Sequence, residues 1–335
     1  MIERVLVVST TGMGDCLWGT PAIRALKKSF PALDIDLVVN KTWRSLFDFN
    51  PYLNHIYEYG SQWYLQPILG LKLFGRHYDA IYIFHTNRSF RRMLPWLPSV
   101  PIWTHQNHNW IPESHRMKID DKVHGIQKRL IMLEKFGVKS DGGQMEIFLD
   151  QATLDSSTKL LKKHNFVAGE YVYLNLGASS ERKRWMVDRF KELVSRILKE
   201  TSWNIILGGG PNDKNRAQKI AKELNTARVV EVCSQPILVN ADIISKARLM
   251  VTSDTGPMHI GFAMKTPIVA LFGTTSPLGC GPVEIPSHLF RVITIEPESK
   301  EYVEEQDPEE LYLRCVTVDQ VWSKVKELLA EKTSL

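Results

Sequence analysis

The sequence predicts an α/β protein built from two doubly wound domains, and three observations carry that prediction. Short β-branched apolar runs alternate with helical stretches along most of the chain. The strands are apolar at nearly every position, as strands buried on both faces of a parallel sheet must be. A polar, turn-rich interval at 138–158 divides the alternation into two series. In the first series, strands are expected at 5–8, 35–39, 56–59 and 80–84, with helices at 21–30 and 42–49 whose apolar residues recur at helical spacing. In the second, strands are expected at 171–176, 204–207, 228–232, 249–252 and 268–272, with helices at 187–200, 213–224, 239–247 and 258–264. The last helix, 318–331, carries Val321, Val325 and Leu328 on one face. The expected division is therefore 1–155 and 156–316, with 317–335 packing back toward the first domain. Two such domains facing each other would leave a cleft at the carboxyl ends of both sheets, where open α/β sheets bind ligands.

The bulk numbers agree. A chain of 335 residues suits two domains of ordinary size, and 44% hydrophobic with 24% charged residues is a globular balance. The net charge of +5 is compatible with an anionic partner without demanding a nucleic acid. Cys16, Cys233, Cys280 and Cys315 form no CxxC pair, so neither a zinc site nor a disulfide framework is expected. The opening MIERVLVVSTTGMGD reads as a buried strand and its loop rather than a signal peptide. No apolar run approaches the ~20 residues of a spanning helix. A soluble, cytoplasmic protein is expected, touching a membrane surface at most.

Three loops carry candidate chemistry. The first is Thr10-Thr11-Gly12-Met13-Gly14-Asp15, directly after the first strand. Its glycines let the backbone turn sharply beside a ligand, and Asp15 is brought to the carboxyl end of the sheet. Asp15 is either the cap of the following helix or a free carboxylate. Thr20-Pro21 is a competing helix start, and a helix beginning there would leave Asp15 in the loop. The second loop is Ser253-Asp254-Thr255-Gly256-Pro257-Met258-His259. A capped helix with proline in its first turn offers unpaired backbone N–H groups, an anion site suited to a diphosphate. Its plainer reading is an ordinary capped helix with a partly buried histidine. Gly273-Thr274-Thr275-Ser276-Pro277 lies at the same edge. The third loop, Leu176-Gly177-Ala178-Ser179-Ser180-Glu181-Arg182-Lys183-Arg184-Trp185, offers amides, hydroxyls and three cations, either to phosphates or simply to solvent.

Together, GMGDCLWGTPAIRALK at 12–27, LGASSERKRWMVDRFKELV at 176–194 and SDTGPMHIGFAMKTPIVALFGTTSP at 253–277 resemble the heptosyltransferase family of bacterial lipopolysaccharide synthesis, glycosyltransferase family 9. The resemblance spans nearly the whole chain. It implies a GT-B fold of two facing Rossmann-like domains, acceptor in the first and nucleotide sugar in the second. It also implies an inverting, metal-independent transfer without a cofactor, with ADP-heptose as donor and a lipopolysaccharide core glycan as acceptor. By the same resemblance Asp15 is the catalytic base, and Gly14 beside it is placed with the acceptor residues. Lys183, Gly177, Ser179, Asp254, Thr255, Gly256, Pro257, Met258, His259 and Thr274 bind the donor. His124, in Lys122-Val123-His124-Gly125, matches a histidine that precedes the family's interdomain helix and is placed with the acceptor residues. Family members often carry further cysteines in the last third, where only Cys315 fits here.

Other motifs are weighed separately. Asp34-Ile35-Asp36 has the DxD form of metal-dependent sugar transferases, but it opens a strand at the amino end, so solvated acids are expected there and not a metal site. His105 and His108, in HQNHNW, fit an acceptor loop better than a metal site. Arg88, Arg91 and Arg92, among Trp96, Trp103 and Trp110, are either a basic surface with ordinary core tryptophans or the site of an anionic lipid-linked acceptor at the cytoplasmic face of the inner membrane. A nucleotide-sugar epimerase or a non-catalytic nucleotide-sugar binder would share the donor motifs. Only a transferase consumes donor in an acceptor-dependent way.

Overall fold

In the computed structural model the described residues are 2–273, 275–295 and 312–332. The chain divides into two compact units, residues 1–148 and 149–335.

The first unit is a parallel sheet of five strands: β1 (Arg4–Ser9), β2 (Asp34–Asn40), β3 (His55–Tyr59), β4 (Ala80–His85) and β5 (Ile102–Thr104), in the order β3-β2-β1-β4-β5. Val5 through Val8 are wholly buried, because helices cover both faces of the central strand. Helix α1 (Met13–Leu17) follows β1, and α2 (Thr20–Ser29) follows with Pro21 in its first turn. Gly19, not Thr20, is the N-cap of α2. The Thr20 hydroxyl instead donates to the Leu17 carbonyl at 2.8 Å and accepts from Glu146 N at 3.1 Å. Helices α3 (Leu65–Leu73) and α4 (Gly125–Glu134) complete the unit. The helix expected at 42–49 is a 3-10 turn, Lys41–Phe47, whose start the Asn40 side chain tightens by accepting from Thr42 N at 3.0 Å. The DxD acids are not a solvated pair. Asp34 pairs with Arg4, while Asp36 is fully buried and accepts from the Tyr78 hydroxyl at 2.7 Å.

The second unit holds six parallel strands: β6 (Tyr171–Asn175), β7 (Asn204–Gly208), β8 (Val229–Glu231), β9 (Leu249–Ser253), β10 (Ile268–Phe272) and β11 (Phe290–Thr294). Their order is β11-β10-β9-β6-β7-β8. Helices α5 (Gln151–Lys163), α6 (Val187–Glu200), α7 (Lys214–Leu224), α8 (Ile237–Ser245) and α9 (Gly256–Ala263) surround it. The unit begins at residue 149, where a boundary after 155 was expected, because 151–158 is not a linker. Asp150 caps α5 by accepting from Thr153 N at 3.0 Å, and buried Ser157 hydrogen-bonds Asp242 of α8. The C-terminal helix Val318–Lys332 likewise differs from its expected course. Val321, Trp322, Val325 and Leu328 lie in the core of the second unit with residues of α6 and β11, and Trp322 Nε1 donates to Glu200 at 2.9 Å. Its apolar face is thus spent within that unit rather than toward the first domain.

Candidate functional site

Each sheet reverses its strand order at one place. In the first unit β1 lies between β2 and β4, and in the second β6 lies between β7 and β9. The connections leaving the two central strands at such a switch point run to opposite faces, so the loops part and leave a crevice at the carboxyl ends. The loop after β1 carries Asp15 and the end of β4 is His85. The loop after β6 carries Lys183 and the loop after β9 carries Asp254. Sheet order therefore brings each motif to the carboxyl end of its own sheet, at the switch point.

In the first unit Asp15 sits in the first turn of α1 but does not cap it. The N-cap is Gly12, and no side chain caps the turn. The carboxylate instead faces β4. Thr11 Oγ1 donates to Asp15 Oδ2 at 3.0 Å and lies 2.7 Å from His85 Nδ1, which itself stands 3.7 Å from Asp15 Oδ2. A hydroxyl has one proton to give, and a carboxylate only accepts, so His85 carries its proton on Nδ1 and donates to Thr11. Burial, partly opposed by the Asp15 charge, holds the His85 pKa below its usual value, so the ring is neutral near pH 7. The result is a directional chain from His85 through Thr11 to one oxygen of Asp15.

Behind Asp15 lies a buried guanidinium. Arg129, on α4, donates from Nη2 to the Asp15 main-chain carbonyl at 3.2 Å and from Nη1 to the Gly125 carbonyl at 2.6 Å. Complete burial pulls its pKa down to about 10, against the pull of Asp15, so it stays charged. Its guanidinium lies 5.7 Å from the centre of the Trp18 ring, a cation–π distance. Gly125 permits this packing, since a Cβ there would lie 2.5 Å from the Trp18 ring. Neighbouring Cys16 is buried, its thiol pushed up to about 12 and thus inert.

In the second unit Lys183 Nζ donates to Asp254 Oδ2 at 2.8 Å, and the Thr275 hydroxyl donates to the same oxygen. Thr255 is the N-cap residue of α9, with Pro257 in the first turn. Asn175, buried at the end of β6, donates to Gly177 O and Thr252 Oγ1, each at 2.9 Å, and to Thr255 Oγ1 at 3.3 Å. It thereby locks the β6 loop to the β9 loop. Gly177 is required there, because a Cβ would come within 2.7 Å of Asp213 Oδ2. Trp185, fully buried, ties the far end of the basic loop down by donating to Val316 O at 2.9 Å.

The predicted residues are distributed unevenly. Asp15 and Gly14 stand at the first switch point. Gly177, Lys183, Asp254, Thr255, Gly256 and Pro257 gather at the second, with Ser179 exposed on the basic loop. The side chains of Met258 and His259 are buried, and the Met258 N–H is spent on the Thr255 carbonyl at 3.0 Å. Thr274 lies outside the described residues. Arg88, Arg91 and Arg92 are exposed on a 3-10 turn, Arg88–Trp96, and no carboxylate among the described residues pairs with them. His124 caps α4, its Nδ1 accepting from Ile126 N at 3.1 Å, and its ring lies 4.8 Å from that of Trp18, so it is a buried packing residue. His105 is half-buried and donates to Phe84 O at 2.7 Å. The basic loop is not three loose cations either, because Arg184 lies within 3.5 Å of both Glu181 and buried Asp213.

Sequence reasoning passed over Thr11, His85, Arg129, Asn175 and Asp213. A polar residue closing an apolar strand was the signal for His85 and Asn175. Arg129 gave none, since a cation in a helix ordinarily reads as solvated.

Over nearly its full length the chain has the fold of solved GT-B glycosyltransferases. It matches a family 9 glycosyltransferase from Veillonella parvula with a TM-score of 0.84 at 20% identity, covering 98% of each chain. It matches the Escherichia coli heptosyltransferase WaaC, solved with ADP, with a TM-score of 0.75 at 17% identity, covering 97% of this chain and 100% of that one. With this fold, the family model sets the class, a glycosyltransferase of the GT-B type. The chain belongs to glycosyltransferase family 9 (heptosyltransferase), whose family model matches residues 102–312. It is 24% identical over 319 residues to lipopolysaccharide heptosyltransferase 2 of Escherichia coli, covering 87% of this chain and 88% of that protein.

Proposed function

We propose that this enzyme transfers heptose from ADP-heptose to a hydroxyl of a lipopolysaccharide core glycan with inversion, and that Asp15 is the general base. Family membership and the neighbour solved with ADP support the donor class. The hydrogen-bonded set Thr11–Asp15–His85 at the first switch point is the observation that carries the base assignment.

In this reading the acceptor oxygen attacks the anomeric carbon from the face opposite the diphosphate. The new C–O bond forms as the bond to the ADP oxygen breaks. The hydroxyl proton passes to Asp15 during attack, because a carboxylate is too weak a base to remove it beforehand. Oδ2 is held by Thr11, so Oδ1 takes the proton. Neutral His85 fixes the Thr11 hydroxyl and adds no competing cation. Lys183 and the amides at the start of α9 meet the charge growing on the leaving diphosphate. Asp254 holds Lys183 in place. The reaction needs no metal in this scheme, so transfer is expected to persist in a chelator. Arg88, Arg91 and Arg92 meet the anionic groups of the acceptor.

The test is Asp15→Asn. It should bind ADP-heptose with near-normal affinity while transfer falls by about 10²–10⁴, the usual range for a lost general base. Transfer within a few-fold of wild type would remove Asp15 from the role. Donor consumption without acceptor would favour an epimerase or hydrolase instead.

A further inference from the structure

Helix α3 is apolar on every side, WYLQPILGLKLFG over residues 63–75, yet only one side of it is covered. Leu69 and Leu73 enter the core of the first unit. Tyr64, Ile68, Leu71 and Phe74, spaced by four, three and three residues, form a stripe along the opposite side. Leu71 is 70% and Phe74 86% exposed, and Trp63 at the amino end of the helix is 72% exposed. A soluble surface does not normally present such a stripe without a partner.

The surroundings specify that partner. Gly70 lets α3 pack closely on the turn Arg88–Trp96, since a Cβ there would lie 2.6 Å from that of Trp96. Exposed Trp96 and the unpaired Arg88, Arg91 and Arg92 thus belong to the element against which α3 packs. Between Glu58 and Glu113 the chain has five Lys or Arg residues, Lys72, Arg76, Arg88, Arg91 and Arg92, and a single acid, Asp79. That acid is spent on the backbone amides of Glu3 and Arg4, at 2.7 and 2.9 Å, and Arg76 pairs with buried Asp36 at 3.7 Å, which leaves four cations. Aliphatic residues flanked by tryptophan and tyrosine, with cations and almost no acids nearby, match the boundary between acyl chains and anionic headgroups. A second copy docked through the same face by a two-fold axis would set these cations against themselves.

We propose that α3 is a membrane-docking helix, which lies in the interface of an anionic lipid surface with Tyr64, Ile68, Leu71 and Phe74 inserted and Trp63 at headgroup level. This goes beyond the transfer reaction and does not depend on the acceptor's identity. No helix among the described residues is long and apolar enough to cross a membrane, so the contact is peripheral.

The experiment is co-sedimentation of the full chain with vesicles of phosphatidylcholine, alone or mixed with phosphatidylglycerol. Wild type should bind the mixed vesicles, and Leu71→Glu/Phe74→Glu should bind at least about tenfold less, as expected when two inserted apolar side chains become charged. Transfer to a soluble, lipid-free acceptor should be unchanged in the double variant, which separates this proposal from the transferase reading. Should the double variant not fold, lipids brominated near the headgroup should quench the wild type more than Trp63→Phe. Equal vesicle binding by both proteins, no binding by wild type, or a wild-type dimer that the double variant dissociates would each overturn the proposal.

Discussion

Arg129 Nη2 lies 3.2 Å from the main-chain carbonyl of Asp15, 114 residues away in sequence, and no carboxylate among the described residues pairs with the guanidinium. A charge buried this completely is ordinarily paired. Here its hydrogen bonds go to two carbonyls, so it fixes the backbone that carries Asp15 rather than pairing with the Asp15 carboxylate.

Arg129→Met should accordingly leave donor KM near wild type while lowering kcat, because Asp15 loses its positioning and not its chemistry. Two carbonyls lose the guanidinium as a donor, but Asp15 O keeps the Ser9 hydroxyl at 3.4 Å and Gly125 O keeps its helical partner, so the loss in stability is about 1–3 kcal/mol in all. Steady-state kinetics with a parallel melting curve checks this. A purely structural role predicts lower stability with kcat per folded enzyme unchanged.

Lys183 and Asp254 make the corresponding pair in the second unit. Lys183→Met leaves the Asp254 carboxylate, 4% exposed, with Thr275 as its remaining side-chain partner, and should lower stability by roughly 1–3 kcal/mol. Donor KM should rise at the same time. Adding Asp254→Asn should restore much of the stability without restoring donor affinity. Thermal unfolding and donor titration of the single and double variants separate the two roles of the lysine.

His105 sets a pH dependence. Burial drives its pKa from the usual 6.5 down to about 3. The unfolded chain therefore binds a proton that the folded state refuses between these values, and stability is lost as pH falls from 6.5 toward 3. His85 and His108 are displaced in the same direction by burial. His105→Gln should flatten the fall of Tm on acidification below pH 6.5. An identical slope in both proteins would show that His105 does not contribute.

The two series of parallel strands and helices were legible in the sequence, because apolar periodicity and turn residues act over a few neighbours. So were the glycine-rich loop ending at Asp15, the SDTGPMH turn and the basic loop, all at strand ends. The same local signals failed where a segment spends its polar groups at a distance. Residues 138–158 look like a polar, turn-rich interval, yet from 151 onward they belong to a helix bound to α8 through Ser157 and Asp242. The C-terminal helix shows an apolar face but not which core takes it.

The choice of Asp15 over its role as a cap illustrates the division best. The sequence alone supplied the loop and the carboxylate, and allowed both roles. The structure removes the cap, since Gly12 caps the helix, and strand order supplies the neighbours on which the proposed base role rests: the placement of β4 beside β1 brings His85 to within 2.7 Å of Thr11 across 74 residues. Such neighbours are set by which edges of a sheet pair. Pairing depends on the burial of whole faces, and no short window of sequence records it.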